Sequence, residues 1–178
     1  FFILLNKWFK EVLTIKRLMS NFVPNNLRET LAEICQSSRI KIPVFVLKNE
    51  PIIMSETKWI FPFGNCIIIS NKATEFLDNK EVEALLAHEI GHIKHHTFVF
   101  NLLDFLSQIT LFGKGFLISV LNTKEMEYRA DDFSLKWISR KGYPKDILKN
   151  LLKKIVITNS TLKYFAYSGR FLKKALHQ

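Results

Sequence analysis

Cysteine is scarce: Cys35 and Cys66 are the whole supply in 178 residues. They stand in unrelated contexts, without the close spacing of a zinc knuckle or a redox motif, so the sequence implies no disulfide. Two buried thiols in a reducing compartment are the expectation. Internal repeats and low-complexity segments are missing, and so is any recognisable nucleic-acid-binding motif. Acidic residues are the minority, 16 against 26 Lys and Arg, for a formal net charge of +10. An excess of positive charge favours anionic partners. With no nucleic-acid motif present, a membrane surface is the expected one and nucleic acid is not.

The apolar side is heavy, at 48% hydrophobic, and sixteen residues are Phe. Such a supply suits a Phe-packed core or a surface that meets lipid or an apolar partner. The length suits one domain with a sizeable core. The chain opens Phe1-Phe2-Ile3-Leu4-Leu5, which reads as the trailing edge of a cleaved leader or of a membrane span. Residues 6–22 mix Trp8, Phe9, Val12, Leu13 and Ile15 with four basic residues. That is a basic amphipathic helix, lying either on a bilayer or against the core. Residues 1–23 are therefore set apart as an amphipathic or membrane-proximal helix, and 24–178 as the main domain.

Within 24–178 the patterning predicts a helix from Leu27, a strand at Pro43-Val44-Phe45-Val46-Leu47 and another at Cys66-Ile67-Ile68-Ile69-Ser70. Residues 48–65, with Pro51, Pro62 and Gly64, read as a loop or broken hairpin. A short helix follows at 72–77. From Lys80 the helical period is strongest, with Val82, Leu85, Leu86, Ile90 and Ile93 in one stripe and Asp78-Asn79 able to cap it. Residues 98–121 are apolar but interrupted by Asp104 and Gly113-Lys114-Gly115. They read first as a hairpin of two short helices and second as a marginal span. Three further helices are predicted, at 124–140, 145–157 and 162–176. The fold class is α+β, mostly helical, with a small sheet.

Four of the five histidines fall between His88 and His96. His88 and His92, at i and i+4, share a helix face, so two imidazole nitrogens can reach one Zn²⁺. Glu89 can take a proton from water attacking a carbonyl and pass it to the leaving amine. A third ligand is still needed. The position three residues beyond His95 is Phe98, so a third His from the same segment is excluded. Glu127 and Asp131, i and i+4 on a later helix, supply the alternative. Glu127 can coordinate the ion while Asp131 accepts a hydrogen bond from the free nitrogen of a ligand His. His95 and His96 are expected in solvent or behind the ligands, and His177 in a frayed tail.

Residues 78–94 followed by Glu127-Tyr128-Arg129-Ala130-Asp131 resemble the HtpX and CAAX-prenyl-protease family of membrane zinc endopeptidases. The resemblance spans roughly residues 27–140. It implies a zincin-like domain with His88, His92 and Glu127 as zinc ligands, Glu89 as general base and acid, and Asp131 supporting a ligand His. It also implies a protein or peptide substrate, held in extended form along a sheet edge, and a membrane location with the site on the cytoplasmic side. Two departures stand out. Ser55-Glu56-Thr57-Lys58-Trp59 replaces the usual Asn-Ala-containing segment, and no His-Pro precedes Arg170. The group that stabilises the oxyanion is accordingly open among Tyr164, Tyr167 and Arg170. The BlaR-type sensor peptidases are a cousin resemblance, and with them comes the alternative of a zinc-binding sensor with little turnover.

Overall fold

A computed structural model describes residues 2–19, 23–60, 63–95 and 123–175, with side chains at 6, 8–19, 23–60, 63–95 and 124–162. The architecture is mostly helical around a three-stranded sheet. Helix α1 (Phe2–Leu18) and helix α2 (Asn25–Ser38) precede strand β1 (Val44–Lys48). Strands β2 (Ser55–Ile60) and β3 (Gly64–Ser70) lead into the short α3 (Asn71–Phe76) and then α4 (Asn79–His95). Helices α5 (Thr123–Arg140) and α6 (Ile147–Ala175) complete the described chain. The expectation for residues 98–121 lies outside the described residues.

Sheet order is β1-β3-β2, with β3 parallel to β1 and antiparallel to β2. The apolar run of β3 is continuous because both of its faces are covered. Ile67 and Ile69 join the main core with Leu47, Leu86 and Ile90, whereas Cys66 and Ile68 join a second cluster with Ile15, Val46 and Ile60. That division follows the two-residue side-chain period of a strand. Helix α1 covers the second face through Ile15, Val12 and Leu18, and leaves Phe9 (54% exposed) and Leu13 (49%) outward. The core-facing reading describes the inner of these two faces. Among the described residues no helix is long and apolar enough to cross a membrane.

One sequence expectation is sharpened and one needs correction. The stretch read as a loop or broken hairpin is the hairpin: it contains β2, paired antiparallel with β3 from Ser55↔Ile69 to Ile60↔Gly64. Its polarity misleads because five of its six residues are only half-buried. The last two predicted helices are one, α6, of 29 residues. Thr158-Asn159-Ser160-Thr161 looks like a break, since such side chains compete with the backbone for hydrogen bonds. Here the Ser160 and Thr161 hydroxyls instead bond back to the Ile157 carbonyl at 2.7 and 3.1 Å. Asn159 turns its amide outward: Oδ1 accepts from the Ile53 N–H and Nδ2 donates to the Ile53 carbonyl, both at 2.7 Å. That pair ties α6 to the approach to β2.

The start of α4 is a reciprocal cap. Asp78 Oδ1 accepts from the Glu81 N–H at 2.8 Å, and Glu81 Oε2 accepts from the Asp78 N–H at 2.9 Å. This satisfies two backbone donors that a helix start otherwise leaves open. Val82, Leu85, Leu86, Ile90 and Ile93 then bury in the main core. Ser134 on α5 adds a hydroxyl bond of 2.9 Å to the Ala84 carbonyl.

Candidate metal centre

The helical rise places His88 and His92 one turn apart on α4, with side chains 15% exposed each. Their rings meet edge to face, centroids 4.7 Å apart at 90°, and their Nε2 atoms approach to 3.1 Å. Opposite them α5 runs unusually close. Gly91 makes this possible, because a Cβ there would lie 2.7 Å from the Ala130 Cα. The close approach brings Glu127, one turn before Ala130, onto the histidines. Its Oε2 is 3.5 Å from His88 Nε2 and its Oε1 is 3.6 Å from His92 Nε2. One ligand atom from each of the three lies within 4.8 Å of the others.

Two nitrogens at roughly 2.0–2.1 Å from a tetrahedral zinc stand roughly 3.3–3.4 Å apart. The two Nε2 atoms stand 3.1 Å apart, each has one of the two Glu127 oxygens at 3.5 or 3.6 Å, and these spacings are of the size a shared zinc ion requires. The donor set of two imidazoles and a carboxylate also suits Zn²⁺. Burial, and then the proximity of His88, pushes His92 below the ordinary histidine range, a shift that favours the neutral form, the one with a lone pair to give. His88 Nδ1 is buried with no aligned hydrogen-bond partner, yet Asp131 Oδ1 is 2.9 Å away. An N–H on Nδ1 directed at that carboxylate would fix the tautomer that leaves Nε2 free to bind a metal ion. These residues fit zinc.

Glu89 lies on the same helix but in a different setting. It is 4% exposed, and each carboxylate oxygen accepts a hydroxyl bond from β2: Oε1 from Ser55 Oγ and Oε2 from Thr57 Oγ1, both at 2.6 Å. Sequence reading missed these two residues. The available signal was two hydroxyls at i and i+2 in a strand, which puts them on one face. A cavity of about 530 Å³ opens over His88, Glu89, His92 and Glu127, with Leu148, Leu151, Leu152 and Ile155 of α6 in its wall.

Glu125 and His95 are not part of this cluster. Glu125 pairs with Arg129 on the exposed side of α5. His95, at the end of α4, lies below the ordinary histidine range because of partial burial and then the Arg129 and Lys94 charges. Tyr164, Tyr167 and Arg170 belong to the α6 backbone, but their side chains lie outside the described ones. His96 and His177 lie outside the described residues.

Comparison with known proteins agrees with this chemistry. The model of peptidase family M48 matches residues 59–123, a stretch that contains His88, Glu89 and His92 and ends before Glu127. The match supports a metallopeptidase of that family. No curated protein matches the chain.

Proposed function

We propose that the chain is a zinc-dependent endopeptidase of zincin-like fold, acting on protein or peptide substrates at a membrane surface. The observation that carries this reading is the convergence of His88, His92 and Glu127 beside the buried carboxylate of Glu89. His88 Nε2, His92 Nε2 and a Glu127 oxygen would hold the zinc, and Asp131 would orient His88. When bound, the ion supplies Lewis acidity toward the scissile carbonyl and acidifies a water. Glu89 takes the proton of the attacking water on a carboxylate oxygen and returns it to the leaving amine nitrogen. Leu148, Leu151 and Ile155 of α6 form an apolar wall on one side of that exchange. The outer edge of β2 borders the cavity and is where an extended substrate would lie by strand addition. Support for a membrane surface comes from α1, where exposed Phe9 and Leu13 share a helix with exposed Lys10, Lys16 and Arg17.

Glu89→Gln tests the assignment, since it keeps the side chain's size but cannot accept a proton at neutral pH. Zinc content and thermal midpoint should stay near the parent, while casein hydrolysis falls roughly 10²–10⁴-fold. Parental hydrolysis in that variant would assign the activity to another route. A zinc-loaded parent with no hydrolysis would favour the sensor.

A further inference from the structure

We infer that Ser55 and Thr57 are positioning residues for the reaction: together they clamp the Glu89 carboxylate from the sheet side. The inference rests on the reading of Glu89 as general base.

The geometry is specific. Glu89 reaches its position through three rotatable side-chain bonds, and helix α4 fixes only the first atom of that arm. Both oxygens are then met by hydroxyls at 2.6 Å, inside the short range of O–H···O⁻ bonds, roughly 2.5–2.7 Å. The Thr57 hydroxyl also lies 3.2 Å from the Glu89 main-chain carbonyl. It has one proton to give, and the shorter contact to a charged oxygen takes it. Two hydroxyls occupy about half of the roughly four acceptor positions of a carboxylate, so the remainder stays open toward the cavity for water.

Strand register explains why both hydroxyls arrive together. Ser55 and Thr57 pair with Ile69 and Ile67 of β3, and those isoleucines point into the main core beneath α4. The same face of β2 therefore presents its hydroxyls to α4. Glu56, between them, pairs with Ile68 of the opposite cluster. Moving the register by one residue would replace both hydroxyls with Glu56 and Lys58. Among the described residues β2 pairs only with β3. The strand bordering the cavity is thus also the one that aims the base.

The experiment uses Ser55→Ala, Thr57→Val, their double variant, and Thr57→Ser as the conservative replacement. Zinc content, kcat and KM on a casein-derived peptide are measured for each. Zinc content and KM should stay at the parental level. We expect kcat to fall about tenfold in each single variant and about a hundredfold in the double, a fraction of a general base's full share. Thr57→Ser should recover most of the loss. A double variant with parental kcat overturns the inference and leaves the reading of Glu89 intact. So does a Thr57→Ser variant as slow as Thr57→Val, because shape rather than the hydroxyl would then matter. A second readout is independent of turnover: urea unfolding of Glu89→Gln, the double hydroxyl variant and their combination. Non-additive midpoint shifts confirm the contact, and additive ones overturn it. An inactive zinc-loaded parent overturns the proposed function and the positioning role with it, whatever the unfolding cycle shows.

Discussion

Gly91 and Ala130 touch backbone to backbone: a Cβ added to Gly91 would sit 2.7 Å from the Ala130 Cα and 3.0 Å from its carbonyl oxygen. Each residue stands in the same relation to the two candidate site residues of its helix. His88 and His92 flank Gly91 at i−3 and i+1, and Glu127 and Asp131 flank Ala130 likewise. In a helix interior Gly→Ala ordinarily stabilises by up to about 1 kcal/mol. Here the added methyl meets backbone that cannot yield without moving α5. Gly91→Ala should therefore destabilise, by about 1–3 kcal/mol in urea unfolding, and weaken zinc retention against a chelator. A more stable variant with parental zinc affinity would remove this contact from the account of the site.

Glu127 and Asp131 should separate by kind of loss. Glu127→Ala removes a donor and should abolish tight zinc binding, whereas Glu125→Ala should not. Asp131→Ala leaves all three donors and should weaken affinity roughly 10–100-fold, the usual cost of losing the partner that orients a ligand His. Competition with a chromogenic chelator measures both. Full zinc retention in Glu127→Ala would show the third donor to be another group.

The two cysteines should be inert in the folded protein. Burial pushes both thiols up to about 11, so at pH 8 roughly one thousandth of each would be thiolate even if it were reachable. They also lie in different core clusters. A disulfide-exchange reagent should titrate no thiol in native protein and two in denaturant. Rapid native reaction of either would mean that its core opens readily.

Association with anionic vesicles is expected through α1. Flotation should recover the protein, and raised salt should lower recovery, because the charge contribution is screened over about 10 Å at 0.1 M. Phe9→Ser with Leu13→Ser should lower recovery at every salt concentration. Equal recovery on neutral and anionic vesicles would exclude the basic residues from the interaction.

The parts of this fold that could be read from sequence are those where local pattern and tertiary demand coincide. Helix α4 announces itself because its apolar stripe, its Asp78–Glu81 cap and its His pair all keep the same period. Glu127 and Asp131 were readable because a missing third donor narrows the choice to later helices. β2 was readable only as a loop or broken hairpin, because an edge strand that presents hydroxyls to a buried carboxylate has nearly the composition of a loop. The continuity of α6 was hidden for a related reason. Asn159 breaks a helix only when its amide turns on its own backbone, and here that amide is engaged by Ile53, 106 positions earlier. Non-local hydrogen bonds leave no periodicity in the sequence.

The Asn159–Ile53 pair also sets a boundary on the outer rim of the sheet. Met54 directs its carbonyl to the Ser70 N–H of β3, at 2.9 Å. Alternation along the strand turns the N–H and carbonyl of Ile53 the other way. Those outward groups are where a neighbouring strand would next engage, and one side-chain amide fills both. Asn159 thus acts as a stopper, a single residue doing at this rim what a whole covering strand does elsewhere. A chain laid along β2 has to leave the rim at Ser55, beside the carboxylate of Glu89. The place where backbone pairing must end and the place where the Glu89 carboxylate is held are set by the same stretch of polypeptide.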